Sequence, residues 1–194
     1  TSVTIGKGVK SIGPSAFDYC QKLTSITIPD NVTSIGLSAF YHCDDLTSVT
    51  IGNGVTSIGN SAFSMCTSLS DLTIGNSVTS IGNSAFSSCD GLTSVTIPNG
   101  VTTIGDDVFS SCEGLVSISI PASVTSIGES PFYSCISLTN ITVDPGNTAY
   151  SCDEYGALFN KDKTELIQYP IANTRTSYEI PEGVTNIAAF AFYN

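Results

Sequence analysis

Apolar and polar residues alternate in short bursts along this chain. In Leu23-Thr24-Ser25-Ile26-Thr27-Ile28 the period is two over the last four residues. That period predicts a strand with Ile26 and Ile28 facing inward and Ser25 and Thr27 facing outward. Pro29-Asp30-Asn31 then turns the chain, and Gly52-Asn53-Gly54 and Pro98-Asn99-Gly100 carry the same turn chemistry. Val32-Thr33-Ser34-Ile35 predicts a second, shorter extended piece, with Val32 and Ile35 inward. Gly36 is expected to hold a backbone conformation that a side chain would disfavour. Ser38 is a candidate cap for a single helical or 3₁₀ turn, on which Ala39, Phe40 and Cys43 share one face.

The whole unit returns every 23 residues. Val9, Val32, Val55, Val78, Val101 and Val124 keep the step. So do Ile12, Ile35, Ile58, Ile81, Ile104 and Ile127, each followed by Gly. Phe17, Phe40, Phe63, Phe86, Phe109 and Phe132 form a third row, and Cys20, Cys43, Cys66, Cys89, Cys112 and Cys135 a fourth. A fixed period in this range, with Leu, Ile and Phe at set offsets, signals a leucine-rich solenoid. The expected fold is a β-rich, right-handed solenoid: a parallel sheet, short second strands and single helical turns. The strand ends should fall at Ile5, Ile28, Ile51, Ile74, Ile97, Ile120, Val143 and Ile180. A lone turn buries too few side chains to offset its ordering entropy, so only stacking makes it stable.

The period slips once. The strand position expected at 166 recurs at Ile180, 14 residues late. Residues 1–194 therefore read as one solenoid, with an irregular turn and a β-hairpin insertion at about 144–174. Gly156-Ala157-Leu158-Phe159 and Leu166-Ile167-Gln168-Tyr169 flank a polar turn and predict the hairpin. Its aromatics Tyr150, Tyr155, Phe159 and Tyr169 are expected mainly to cover the gap in the core. Thr1 already lies inside a repeat, and Asn194 stops one residue before the next expected Cys. Neither end shows a polar cap, so the chain reads as a segment of a longer array.

Composition narrows the function. Six basic residues face 17 acidic ones, a formal charge of −11, and no Lys or Arg occurs from Leu23 to Asn160. Nucleic acid and anionic membranes need basic groups, so neither is an expected partner. No apolar run reaches the ~20 residues that span a bilayer. The six laddered cysteines are expected to be buried, reduced thiols acting as small apolar residues, because side chains stacked in register point the same way. Cys152 stands outside the ladder.

Leu-x-x-Ile-x-Ile-Pro followed by Val-x-x-Ile-Gly-x-x-Ala-Phe-x-x-Cys resembles the BspA-like leucine-rich-repeat family over the whole chain. Leu158-Phe159-Asn160-Lys161-Asp162 with Leu166-Ile167-Gln168-Tyr169-Pro170 resembles a variant repeat of that family. Arg175 departs from the pattern, where Leu is expected, as do Val108 and Pro131, where Ala is expected. The resemblance implies a bacterial surface or secreted protein associated with adhesion to host matrix proteins and other cells. It carries no shared ligand-binding motif.

Catalytic chemistry finds little support. His42 is the single histidine, and its equivalents Tyr19, Met65, Ser88, Ser111 and Ser134 mark a tolerant surface position. No serine has a nucleophile-elbow context. A glycosidase would need two nearby carboxylates, and Asp71 is the one acid on the outward strand rows. Asp44-Asp45, Asp106-Asp107 and Asp153-Glu154 lack an EF-hand pattern and read as solvated carboxylates. No cofactor, metal or catalytic residue is expected.

The expected role is non-enzymatic protein binding or adhesion at the cell surface or outside the cell, with host matrix proteins among the partners. The candidate face is Ser25, Thr27, Ser48, Thr50, Asp71, Thr73, Ser94, Thr96, Ser117, Ser119, Asn140 and Thr142. The alternatives are a passive stalk presenting another module and an ice-binding Ser/Thr ladder.

Overall fold

The structure, a computed structural model, describes residues 2–193; Thr1 and Asn194, the ends of the expected array, lie outside them. Short and long strands alternate: β1 (Ser11–Ile12), β2 (Ser25–Ile28), β3 (Ser34–Ile35), β4 (Ser48–Ile51), β5 (Ser57–Ile58), β6 (Asp71–Thr73), β7 (Ser80–Ile81) and β8 (Ser94–Thr96). They continue as β9 (Thr103–Ile104), β10 (Ser117–Ile120), β11 (Ser126–Ile127) and β12 (Asn140–Val143). Then come β13 (Tyr150–Cys152), β14 (Leu158–Asn160), β15 (Glu165–Gln168) and β16 (Asn186–Ile187). The short strands β1 to β11 form one six-stranded parallel sheet. Equivalent residues pair in register, as in Ser34↔Ser57 and Ile35↔Ile58. The fold is a parallel-sheet solenoid of 23-residue turns, as the periodicity predicts.

The long-strand row is shorter than expected. Six of the eight predicted strands form, in two separate sheets, β2-β4-β6 and β8-β10-β12. In the first turn a single bridge joins Ser2 to Ser25. Ile180 lies in no strand. The break between β6 and β8 falls at the one long strand centred on Leu. Leu72 is half-buried, where the β-branched Ile26 and Val49 are buried.

The expected helical turn is absent. Ser38 and His42 have φ of 52° and 56°, and the equivalent residues of the other turns match them. Two left-handed residues per turn break any helical run. In exchange, backbone donors point at the next turn: Ser38 N–H to Asn60 O (2.9 Å), Phe40 N–H to Ala62 O (2.7 Å) and His42 N–H to Ser64 O (2.9 Å). Ser38 is thus a left-handed corner residue, not a helix cap.

Gly36 is required for a different reason than expected. Its φ is not positive; instead a Cβ there would lie 2.6 Å from Pro14 N and 2.7 Å from Gly13 C. Successive turns approach too closely at this corner for a side chain.

The core rows behave as predicted. Val32, Ile35, Ala39, Phe40 and Cys43 are buried, and so are their equivalents in the next three turns, while Val9 and Ala16 of the first turn are exposed. The Phe rings stack nearly parallel, with Phe40–Phe63 centroids 5.0 Å apart and planes 2° from parallel. The cysteines are free thiols, buried from Cys43 to Cys135, while Cys20 and Cys152 are half-buried. They do more than fill space. Each buried thiol donates to a carbonyl of the preceding turn, as Cys66 Sγ to Phe40 O and Cys89 Sγ to Phe63 O, both 3.2 Å. An alanine would fill much of the volume and lose this bond.

The hairpin forms as β14 and β15, antiparallel with an irregularity at Leu158/Phe159. β13 adds a third antiparallel strand and β16 joins β15 in parallel. Tyr150, Phe159 and Tyr169 are buried, in keeping with the core-covering role. Tyr155 stays at the surface, where the Arg175 guanidinium lies 3.8 Å from its ring centroid.

Candidate protein-binding face

Alternation along each long strand decides what faces solvent. Ile26, Ile28, Val49 and Ile51 are buried, so the residues between them point out. All twelve candidate residues lie on the long strands, and all are exposed except half-buried Ser48, whose hydroxyl donates to Asp71 Oδ2 at 3.0 Å. Parallel register aligns them in rows: Thr27 pairs with Thr50 and Thr50 with Thr73; Ser94 pairs with Ser117 and Ser117 with Asn140.

The structure divides this face in two. Ser25, Thr27, Ser48, Thr50, Asp71 and Thr73 lie on one three-stranded sheet. Ser94, Thr96, Ser117, Ser119, Asn140 and Thr142 lie on the other. The second patch borders a groove of about 450 Å³ that also involves Asn99, Pro121, Asp144 and Pro145. Sequence reasoning missed those four, although their turn chemistry beside each strand end was a readable signal.

The charge is one-sided. No Lys or Arg lies between Leu23 and Asn160. Burial, and then the neighbouring Glu113 carboxylate, raises Asp90 above the ordinary carboxylate value. Burial, and then Asp106 and Glu129, does the same for Asp107. Both shifts come first from burial, and the neighbouring carboxylates add to them.

The remaining chemical candidates have structural partners. His42 pairs with Asp44 through Nδ1 and stacks on Tyr19, with centroids 4.7 Å apart. Asp153 Oδ1 accepts the N–H groups of Tyr155 and Ala157, both at 2.9 Å, and its Oδ2 accepts the Tyr178 hydroxyl. Asp106 accepts the Glu129 N–H. Among the described residues, no group of three or more His, Cys, Asp or Glu side chains is arranged to hold a metal ion. No helix among them is long and apolar enough to cross a membrane.

Known structures share this architecture. A leucine-rich repeat protein from Eubacterium ventriosum is 34% identical, with a TM-score of 0.83, over 88% of this chain and 45% of that one. A leucine rich cell surface protein from Faecalibacterium prausnitzii is 36% identical, with a TM-score of 0.64, over 94% of this chain and 56% of that one. A leucine-rich repeat protein from T. pallidum is 25% identical, with a TM-score of 0.60, over 85% of this chain and 69% of that one. The chain spans about half the length of the first two. No curated protein is significantly similar to it. Residues 1–116 and 80–194 match the BspA type leucine rich repeat region in six copies, and the chain belongs to that family.

Proposed function

We propose that this chain is a non-catalytic protein-binding module of a bacterial surface or secreted protein, and that the outward long-strand face is its contact surface. The observation that carries the reading is the pair of exposed Ser/Thr rows on stacked parallel strands. Stacking presents an extended surface wide enough for a macromolecular partner. The name of the Faecalibacterium relative, a cell surface protein, supports the location. The lack of basic residues across the face favours a partner with basic patches, and such binding weakens as salt rises.

The test replaces Thr50, Thr73 and Thr96 with Lys and measures binding to immobilised fibronectin and fibrinogen at two salt concentrations. Binding by the wild type, reduced in the triple variant and by salt, is the expected outcome. Equal binding by both proteins removes the face assignment. No binding by the wild type to a broad panel of matrix proteins leaves the passive stalk as the better reading.

A further inference from the structure

Each turn has a third side, between its short strand and the next long strand. There, two residues stand between the inward Phe40 and Cys43: Tyr41 and His42. In register, their equivalents form two outward rows. One is Tyr41, Ser64, Ser87, Ser110 and Tyr133; the other is His42, Met65, Ser88, Ser111 and Ser134. A floor of serines thus lies between two tyrosines, which stand on the order of 20 Å apart at ~4.8 Å per turn. The backbone of this floor is already spent. Met65 N–H goes to Ser87 O at 2.8 Å, Ser88 N–H to Ser110 O at 2.8 Å and Ser111 N–H to Tyr133 O at 2.6 Å.

The serine side chains are unspent. Among the described residues, no hydrogen bond reaches the hydroxyls of Ser64, Ser87, Ser88, Ser110 or Ser111. Ser64 and Ser110 are only 6% and 8% exposed. A polar group so placed is costly to leave unpaired. Neither hydroxyl is sealed inside, because the occluded side-chain atoms without a partner belong to Asp18, Ser123 and Gln168. Both share the direction of Tyr41 and Tyr133, so they open onto the floor between them.

The walls are aromatic. Tyr41 leans over the next turn, its hydroxyl donating to Met65 Sδ at 3.1 Å. Tyr133 is braced from the later turn: Tyr193 stacks on it with centroids 4.5 Å apart, and Phe190 meets it edge-on at 5.0 Å. That bracing leaves its other face toward Ser110. Asp90 and Glu113 follow the cysteines of the same turns, and no Lys or Arg lies between Leu23 and Asn160.

We propose that this floor binds a neutral, extended oligosaccharide of hexose units, laid along the stack from Tyr41 to Tyr133. A hexose carries C–H groups on its faces and hydroxyls at its edges. The faces suit the π surfaces of the tyrosines. Each serine hydroxyl both donates and accepts, as each sugar hydroxyl does. An extended peptide fits poorly, because the backbone groups that would pair with it are taken. The acids repel anionic sugars. The site lies on a different side of the turn from the long-strand face and does not depend on that face binding anything.

The probe is cellotetraose, titrated by calorimetry and followed by saturation-transfer NMR. The wild type should bind it and should not bind tetragalacturonate, an anionic tetramer of similar length. Tyr133→Ala should weaken binding roughly tenfold, and Y41A/Y133A should abolish it. Ser88→Met raises the floor with a residue that Met65 already places at this position, so it should abolish binding without changing the unfolding midpoint. S64A/S110A should weaken binding several-fold while the unfolding midpoint holds or rises, since each change removes an unpaired buried hydroxyl. The Thr50, Thr73 and Thr96 to Lys variant should bind as the wild type does, which separates this site from the face proposed above. No binding of cellotetraose overturns the proposal. So does equal binding of the anionic tetramer, or undiminished binding to Y41A/Y133A or Ser88→Met.

Discussion

The regular stack and the segment after residue 143 satisfy their backbones with different balances of backbone and side-chain bonds. In the stack, each turn bonds to the next through its backbone, with offsets that repeat. Side chains extend the same ladders: Thr56, Thr79, Thr102 and Thr125 each donate from Oγ1 to the carbonyl of the residue 23 positions earlier. In the later segment, single polar side chains each hold several backbone groups. Asn147 bonds the carbonyls of Pro121 and Val124 and the N–H groups of Ala149 and Tyr150. Asn160 Oδ1 takes the N–H groups of Thr164 and Glu165, and Gln168 Nε2 bonds Tyr169 O and Ala191 O. In the stack a side chain such as Asn53 or Asn83 holds one N–H of the next turn and the backbone does the rest; where repetition fails, one amide such as Asn147 holds four backbone groups.

Asn147 is where this contrast breaks most sharply. It stands at the next step of the Val row, after Val124, and is 1% exposed. If the later segment were a slipped turn, Asn147→Val would restore the row and stabilise the protein. We expect the reverse, a loss of about 3–5 kcal/mol, because four backbone groups lose their partners in the interior. Hydrogen exchange should show protection lost first in residues 144–193, and a urea midpoint gives the size.

Glycines sharpen the contrast at smaller scale. A Cβ at Gly59 would lie 2.6 Å from the Gly36 carbonyl carbon, whereas at Gly183 the nearest atom is Lys163 O at 4.0 Å. Gly59→Ala should cost about 1–3 kcal/mol, and Gly183→Ala should stay within about 0.5 kcal/mol. Parallel urea titrations of the two variants decide it.

The smallest effect concerns the thiols. Burial pushes Cys89 and Cys112 up from the ordinary value, and Cys135 up to about 12. Above pH ~9 an unfolded thiol loses its proton while these keep theirs, so the unfolded state binds fewer protons. Their stabilising share is complete below pH ~9 and is lost as pH rises toward the folded values. Cys135→Ala should cost about 1–2 kcal/mol at pH 7, and about 1 kcal/mol less at pH 10. Urea midpoints at the two pH values test the sign. In the native protein, Cys152 should react with a thiol reagent before Cys89.

The rows of Val, Ile, Phe and Cys were legible because stacking gives one residue type one environment in every turn. The outward face was legible for the same reason, since strand alternation fixes direction. The corner was not. Ala39, Phe40 and Cys43 fit the face of a helical turn, yet two left-handed residues, Ser38 and His42, place the same three inward without one. Serine carries no marked preference for that conformation, so residue type gave no warning. The Gly36 row misled in the other direction, because close approach between turns selects glycine as firmly as a positive φ does. Asn147 was within reach, being one step along a row already counted. What binds the outward face was not legible, because Ser and Thr suit any solvated strand.

The hydrogen bonds from each buried thiol span 26 residues, and those of the threonine ladder span 23. No turn of the stack senses through these bonds anything beyond its immediate neighbours. Whole turns can thus be duplicated or deleted within the stack without any remaining turn meeting a new environment. The gene can lengthen or shorten this array in units of 69 bases and stay in frame, structurally as well as translationally. The insertion after residue 143 has no such freedom: its Asn147, Asp153 and Asn160 bonds are each made once. A family that varies in length should therefore vary in its count of regular turns and keep the irregular one whole.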